Sequence, residues 1–252
     1  MRKATIFNIV LILVLIPATL FLGTKLTGRW YYLTSTLMVI EIMIPFFLAF
    51  ETRRPQAREL VTLAVMCALA VASRVVVMIP NFKPMTAVIM ITGIAFGPEA
   101  GFITGAVGAF ASNFFFSQGP WTPWQMMAYG LGGFLAGVIF YRRPGTRNPV
   151  LLAVYGFVSI VLFVGPLLDC CTLFTVSNHL SWKYAAAVFG AGFTYNLQHG
   201  LACGVTMLLF SKPLLSKLDR LKGKYGMMDA RKEHQQCLEK ASKKWKKFRN
   251  NA

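Results

Sequence analysis

Apolar residues fall in long runs separated by short polar stretches, and several runs approach the roughly 20 residues needed to cross a bilayer. The first runs from Ile6 to Leu22 behind Met1-Arg2-Lys3. It resembles a signal peptide, but Lys25 and Arg29 close it where a small-residue cleavage site would stand, so it reads as an uncleaved first span. Trp30-Tyr31-Tyr32 marks a membrane interface, and a second span continues to about Phe50. Glu41 lies in its middle and is expected to be protonated or to face protein, because a lone carboxyl in lipid is costly. A polar connector, Glu51 to Glu59, carries Arg53, Arg54 and Arg58.

The pattern then predicts a span over Leu60–Ile79, a loop pinned by Pro80 and Pro84, and a short apolar segment from Met85 to Gly97. That segment is expected to be tilted or broken and buried among other helices. Ala100–Phe116, Trp124–Phe140, Val150–Val176 and Ala185–Phe210 complete the runs. The predicted fold is an all-α polytopic membrane protein of about eight transmembrane helices. Its expected divisions are residues 1–59 (two N-terminal helices and a basic connector), 60–210 (a six-helix core) and 211–252 (a basic tail).

Within the core, Gly93, Gly97, Gly101 and Gly105 recur at steps of four. On a helix that spacing aligns the missing side chains, so another helix can approach backbone to backbone. Pro98 interrupts the ladder, which predicts two helices meeting at Gly97-Pro98-Glu99. Ala64, Ala68 and Ala72 make a second small-residue face, which suits either an internal helix or another subunit.

Composition agrees with a membrane protein. Apolar residues make up 56% of the 252 and mean hydropathy is +0.55; soluble domains hold about 45–50%. The net charge of +17 suggests nucleic acid until its placement is considered. Basic residues gather in alternate loops and in the tail, where thirteen Lys and Arg follow Ser211. Only Lys25, Arg29, Lys83 and Lys183 fall on the predicted outside, so the charge bias puts both termini in the cytoplasm. Trp245 and Phe248 among the tail lysines are a weak case for RNA; a surface anchored on anionic lipid is the plainer reading.

Catalytic motifs are missing. No GxxxxGK[ST], HExxH or GxSxG occurs, and no acidic pair stands at general acid/base spacing. The five cysteines lack metal-ligand or redox spacing and read as small buried residues. Three scattered histidines do not argue for a metal site. No enzyme, metal or cofactor is expected, and energy for transport has to come from a partner or an ion gradient.

Polar residues inside or beside the runs are the candidate ligand groups. Arg74 and Asp169 lie at similar depth on two helices; they read either as an ion pair between helices or as groups facing a cavity. Asn113, Gln118, Trp121, Trp124, Gln125 and Tyr129 surround a turn braced by Pro120 and Pro123. Rigid aromatics beside amides suit a flat, polar-edged heterocycle, although tryptophan near an interface is often only an anchor. Tyr195, Asn196 and His199 sit in the last span, with Tyr195 and His199 four apart on one face.

From Leu60 to Phe210 the chain resembles the substrate-binding S components of energy-coupling factor (ECF) vitamin transporters. The resemblance rests on Ala64-x-x-x-Ala68, the loop with Lys83-Pro84, and Gly97-Pro98-Glu99-Ala100-Gly101 with Gly105 beyond. It implies a plasma-membrane receptor that captures a vitamin from outside and moves it by tilting in the bilayer. It implies as partners a transmembrane coupling subunit and two cytoplasmic ATPases. Ala64, Ala68 and Ala72 would then face the coupling subunit. Loops Pro80–Pro84, Gln118–Trp124 and Ser177–Lys183 would gate the site, adding Asn81, Lys83 and His179 to the substrate-binding set. The stretch from Asn113 to Gln125 looks most like the S components assigned to cobalamin. An ion-gradient-driven secondary transporter using Glu41, Asp169 and Arg74 is the alternative.

Overall fold

The computed structural model describes residues 18–19, 29–52, 55–77, 79, 82–176 and 181–227. They build α1 (Arg29–Thr52), α2 (Ala57–Val76), α3 (Met85–Phe96), α4 (Pro98–Phe116), α5 (Trp121–Phe140), α6 (Pro149–Ser159), α7 (Gly165–Val176) and α8 (Trp182–Tyr225). A π turn over Ile160–Val164 joins α6 to α7, so the described residues form seven helical rods. By length and composition three can cross a membrane: Ala57–Val76, Pro149–Phe174 and Trp182–Tyr225. Apart from Ala18 and Thr19, the first apolar run lies outside the described residues, as does the tail beyond 227.

The organising element is the shortest helix. All twelve residues of α3 are buried, as expected for a helix that is apolar all round. It packs against α2, α4, α5 and α8. Its Thr92 hydroxyl donates to the Val88 carbonyl at 2.8 Å, so little polar demand is left inside. The break after α3 follows from two residues. Gly97 takes φ +105°, a conformation open to glycine. Pro98 then starts α4 at a position where a missing N–H costs nothing.

The glycine ladder meets a second one on α5. A Cβ added to Gly105 would lie 2.5 Å from the Tyr129 carbonyl oxygen, and one on Gly133 would lie 2.5 Å from that of Gly101. One on Gly137 would lie 2.6 Å from the Pro98 Cα, and one on Gly93 would strike the Gly133 carbonyl. Backbone therefore meets backbone where α3, α4 and α5 converge. In lipid, where apolar burial between helices drives little, such close packing is a main source of cohesion.

α1 leans on α4, α5 and α7. Phe46 stacks on Phe102 with ring centroids 4.2 Å apart. Glu41 faces protein and accepts from the Thr19 hydroxyl at 2.9 Å.

At one end of the bundle Arg147 closes the structure. Its Nη1 reaches both Asp219 carboxylate oxygens, at 3.1 and 2.9 Å. Its Nη2 donates to the carbonyls of Ile94 and Tyr141, at 3.1 and 3.0 Å. One guanidinium thus satisfies the C-terminal ends of α3 and α5, where carbonyls lack intrahelical donors, and pins α8 to them. The last predicted span ends at Phe210, but α8 runs on to Tyr225, with Leu215 and Leu218 buried. Gly226 in the left-handed conformation ends it.

Candidate functional site

At the opposite end, α2, α4 and α5 share a buried polar network. Arg74, in the last turn of α2, is 5% exposed. Placing a guanidinium in an apolar span costs up to about 2.5–3.5 kcal/mol, the value at the span's centre, so a buried one needs partners. Nη1 donates to the Ser112 hydroxyl and, at 3.0 Å, to Asn113 Oδ1. Its planar face lies 4.6 Å from the Phe116 ring centroid. Both hydrogen-bond partners are neutral, and among the described residues no carboxylate bonds this cation. Arg74 Nε is buried without a hydrogen-bond partner.

Asn113 is the hub. Its amide nitrogen donates to Thr122 Oγ1 at 3.1 Å and Gln125 Oε1 at 2.9 Å, so α4 is fastened to the first turn of α5. Thr122 also receives the Gly119 N–H at 3.2 Å and donates to Gln118 Oε1 at 2.9 Å. The bend between α4 and α5 is thereby shaped by side-chain bonds as well as by its prolines.

Lys83, in the α2–α3 connection, lies 5.8 Å from the same Phe116 ring. Burial, reinforced by the like charge of Arg74, holds its ammonium pKa below the ordinary lysine value. His199 lies edge-on to Tyr129, with centroids 6.1 Å apart, and 3.3 Å from the Thr86 hydroxyl. Beside them Asn196 donates to Asp169 at 2.7 Å, joining α8 to α7. The surround is therefore cationic, rich in donors and bordered by aromatic rings. It suits a ligand with several acceptors and a flat apolar body.

Several sequence expectations change here. Arg74 and Asp169 do not pair; each has its own neutral partners, so the proposed ion pair between helices is absent. The two tryptophans part company. Trp124 is 4% exposed and stacks on Phe174, with centroids 5.7 Å apart and its indole N–H buried without a partner. Trp121 is 40% exposed and lies over Gly119 instead of closing the site. Gln118 is exposed and serves the bend, donating to the Phe110 carbonyl at 3.0 Å. Tyr195 is exposed and does not share the buried face of His199, because α8 has no buried residue before Asn196. Asn81 and His179 lie outside the described residues.

Sequence reasoning passed over Ser112, Thr122 and Thr86. The position of Ser112 beside Asn113, at the end of the next span that runs parallel to that of Arg74, was the available signal. Ala64, Ala68 and Ala72 are exposed, while Leu63, Met66, Cys67 and Ala70 of the same helix are buried. The alanine face is thus unpartnered within the described residues.

The family model for the ECF-type riboflavin transporter, S component, matches residues 55–216, about two thirds of the chain. No curated protein and no solved structure matches it.

Proposed function

We propose a vitamin-capturing role for this chain, which belongs to the family of ECF-type riboflavin transporter S components. Such a subunit is a transport protein and not an enzyme. The substrate we assign is riboflavin or a close flavin, held at the Arg74 end by Arg74, Asn113, Gln125, Tyr129, His199 and the indole N–H of Trp124. The carrying observation is the neutral-partnered, buried Arg74 bound to Asn113, together with unpaired buried donors at Arg74 and Trp124. A buried donor left unmade costs about 1–3 kcal/mol, and a flavin's carbonyl-rich ring edge supplies acceptors. Nothing supports the cobalamin expectation, whereas the family's name points to riboflavin.

In this reading the Arg74 end faces outside the plasma membrane and the Arg147 end faces the cytoplasm, as the distribution of basic loops favours. The exposed alanine face takes the coupling subunit, and partner ATPases supply the energy. Mass spectrometry of the small molecule that copurifies with the protein tests the substrate. A flavin supports the assignment; cobalamin or another vitamin would leave the receptor role and overturn the ligand. Accumulation by the reconstituted chain alone on a proton or sodium gradient would favour a secondary transporter instead.

A further inference from the structure

A groove of about 390 Å³ lies between α2 and α8 with α3 as its floor. Its wall is hydrocarbon: Leu69 from α2 and Val77 just beyond it, Val88 and Ile91 from α3, Phe210 and Leu214 from α8. The hydroxyls on that wall are satisfied within their own helices. Ser73 donates to the Ala70 carbonyl and Thr206 to the Ala202 carbonyl, each at 2.7 Å. A polar vitamin would find no partner there. The groove opens outward, where Phe210 is 58% exposed.

One end is formed by Val77 and Pro84, on either side of the α2–α3 connection. The other is formed by Lys217, which is exposed and stands two residues from the Asp219 held by Arg147. Arg142, Arg143, Lys222 and Lys224 belong to the same end of the bundle, which strengthens its positive field. An apolar trough ending in a cation at the membrane surface complements an amphiphile with a negative head.

We propose that this groove binds one anionic phospholipid from the leaflet on the Arg147 side, its acyl chain lying along α3 and its headgroup on Lys217. The site is separate from the Arg74 network and takes a ligand of another class. Occupancy would fill the trough between α2 and α8, over the buried Val88 and Ile91 of α3.

The test uses the full chain in nanodiscs, with Phe210→Trp as reporter read against the unsubstituted protein. Brominated phosphatidylglycerol and brominated phosphatidylcholine are the two quenchers. Phosphatidylglycerol is expected to quench the reporter at several-fold lower mole fraction. Lys217→Gln in the reporter background is expected to lower that preference roughly fivefold, the effect of about one basic residue near an anionic surface. Ser73→Phe, which fills the trough from α2, is expected to abolish the saturable phase. Equal quenching by both lipids, or no response to Lys217→Gln, would reduce the groove to ordinary annular contact and overturn the proposal. Protection from both lipids in a dimeric particle would overturn it by giving the groove to a second copy.

Discussion

Arg74 Nη1 and Asn113 Oδ1 lie 3.0 Å apart, joining the last turn of α2 to the last full turn of α4. Asn113 passes the connection to α5 through Gln125 and Thr122. Two charged or amide side chains thereby hold three helix ends beside the buried, unpaired Arg74 Nε. Arg74→Gln is expected to lower flavin affinity at least tenfold. Arg74→Lys is not expected to rescue it, because an ammonium cannot serve Ser112 and Asn113 while presenting a second donor edge. Calorimetry on both variants checks this.

Asn113→Ala removes the acceptor from a buried cation and leaves Gln125 and Thr122 short of a donor. Hydrogen bonds to charged groups contribute about 1.5–3 kcal/mol, so both thermal stability and affinity should fall. Asn113→Asp would place a carboxylate beside Arg74 and is expected to keep the fold while weakening an acceptor-rich ligand. Thermal unfolding measured with and without riboflavin separates the two effects.

Trp124→Phe keeps a ring against Phe174 and removes only the indole N–H. The expected result is near-unchanged stability with affinity reduced about five- to tenfold, the worth of one buried hydrogen bond. Trp121→Phe, at the surface, should leave binding unchanged. Equal losses in the two variants would show that the indole N–H has no ligand role.

The bundle's seam can be tested apart from its ligand. Gly133→Ala sets a Cβ 2.5 Å from the backbone oxygen of Gly101, which has no side chain to move aside. Overpacking of this kind costs about 1–3 kcal/mol or more. Gly190→Ala, with nothing within 4 Å, should be neutral or slightly stabilising. Melting temperatures of the two variants provide the comparison.

Much of this fold was legible because it rests on backbone constraints. Gly97-Pro98 can hardly continue a helix, and glycines at steps of four announce close approach wherever their partner lies. The inward direction of Arg74 was also readable, since a guanidinium does not face lipid willingly. What the sequence hid depends on which neighbours are present. Tyr195 and His199 are four apart, but the partly buried stripe of α8 before Asn196 runs through Val188, Phe189 and Gly192 and leaves Tyr195 exposed. The span expected to end at Phe210 continues, because Arg147 and Asp219, 72 residues apart, dock the next four turns. Ala64, Ala68 and Ala72 are exposed because the side of α2 that meets the bundle is the one carrying Leu63, Met66, Cys67 and Ala70.

Ala68→Trp addresses that face. Because Ala68 is exposed, the bulky ring should leave folding and vitamin binding intact while preventing copurification with the coupling subunit. Loss of vitamin binding would instead place the face within the chain's own packing.

Titration of riboflavin into the purified full chain, without ATPases or ATP, in a calorimeter tests whether this bundle is a flavin receptor. Saturable binding of one riboflavin per chain, lost with Arg74→Gln, is the expected result. No heat from riboflavin, or equal binding by the Arg74→Gln protein, would contradict it.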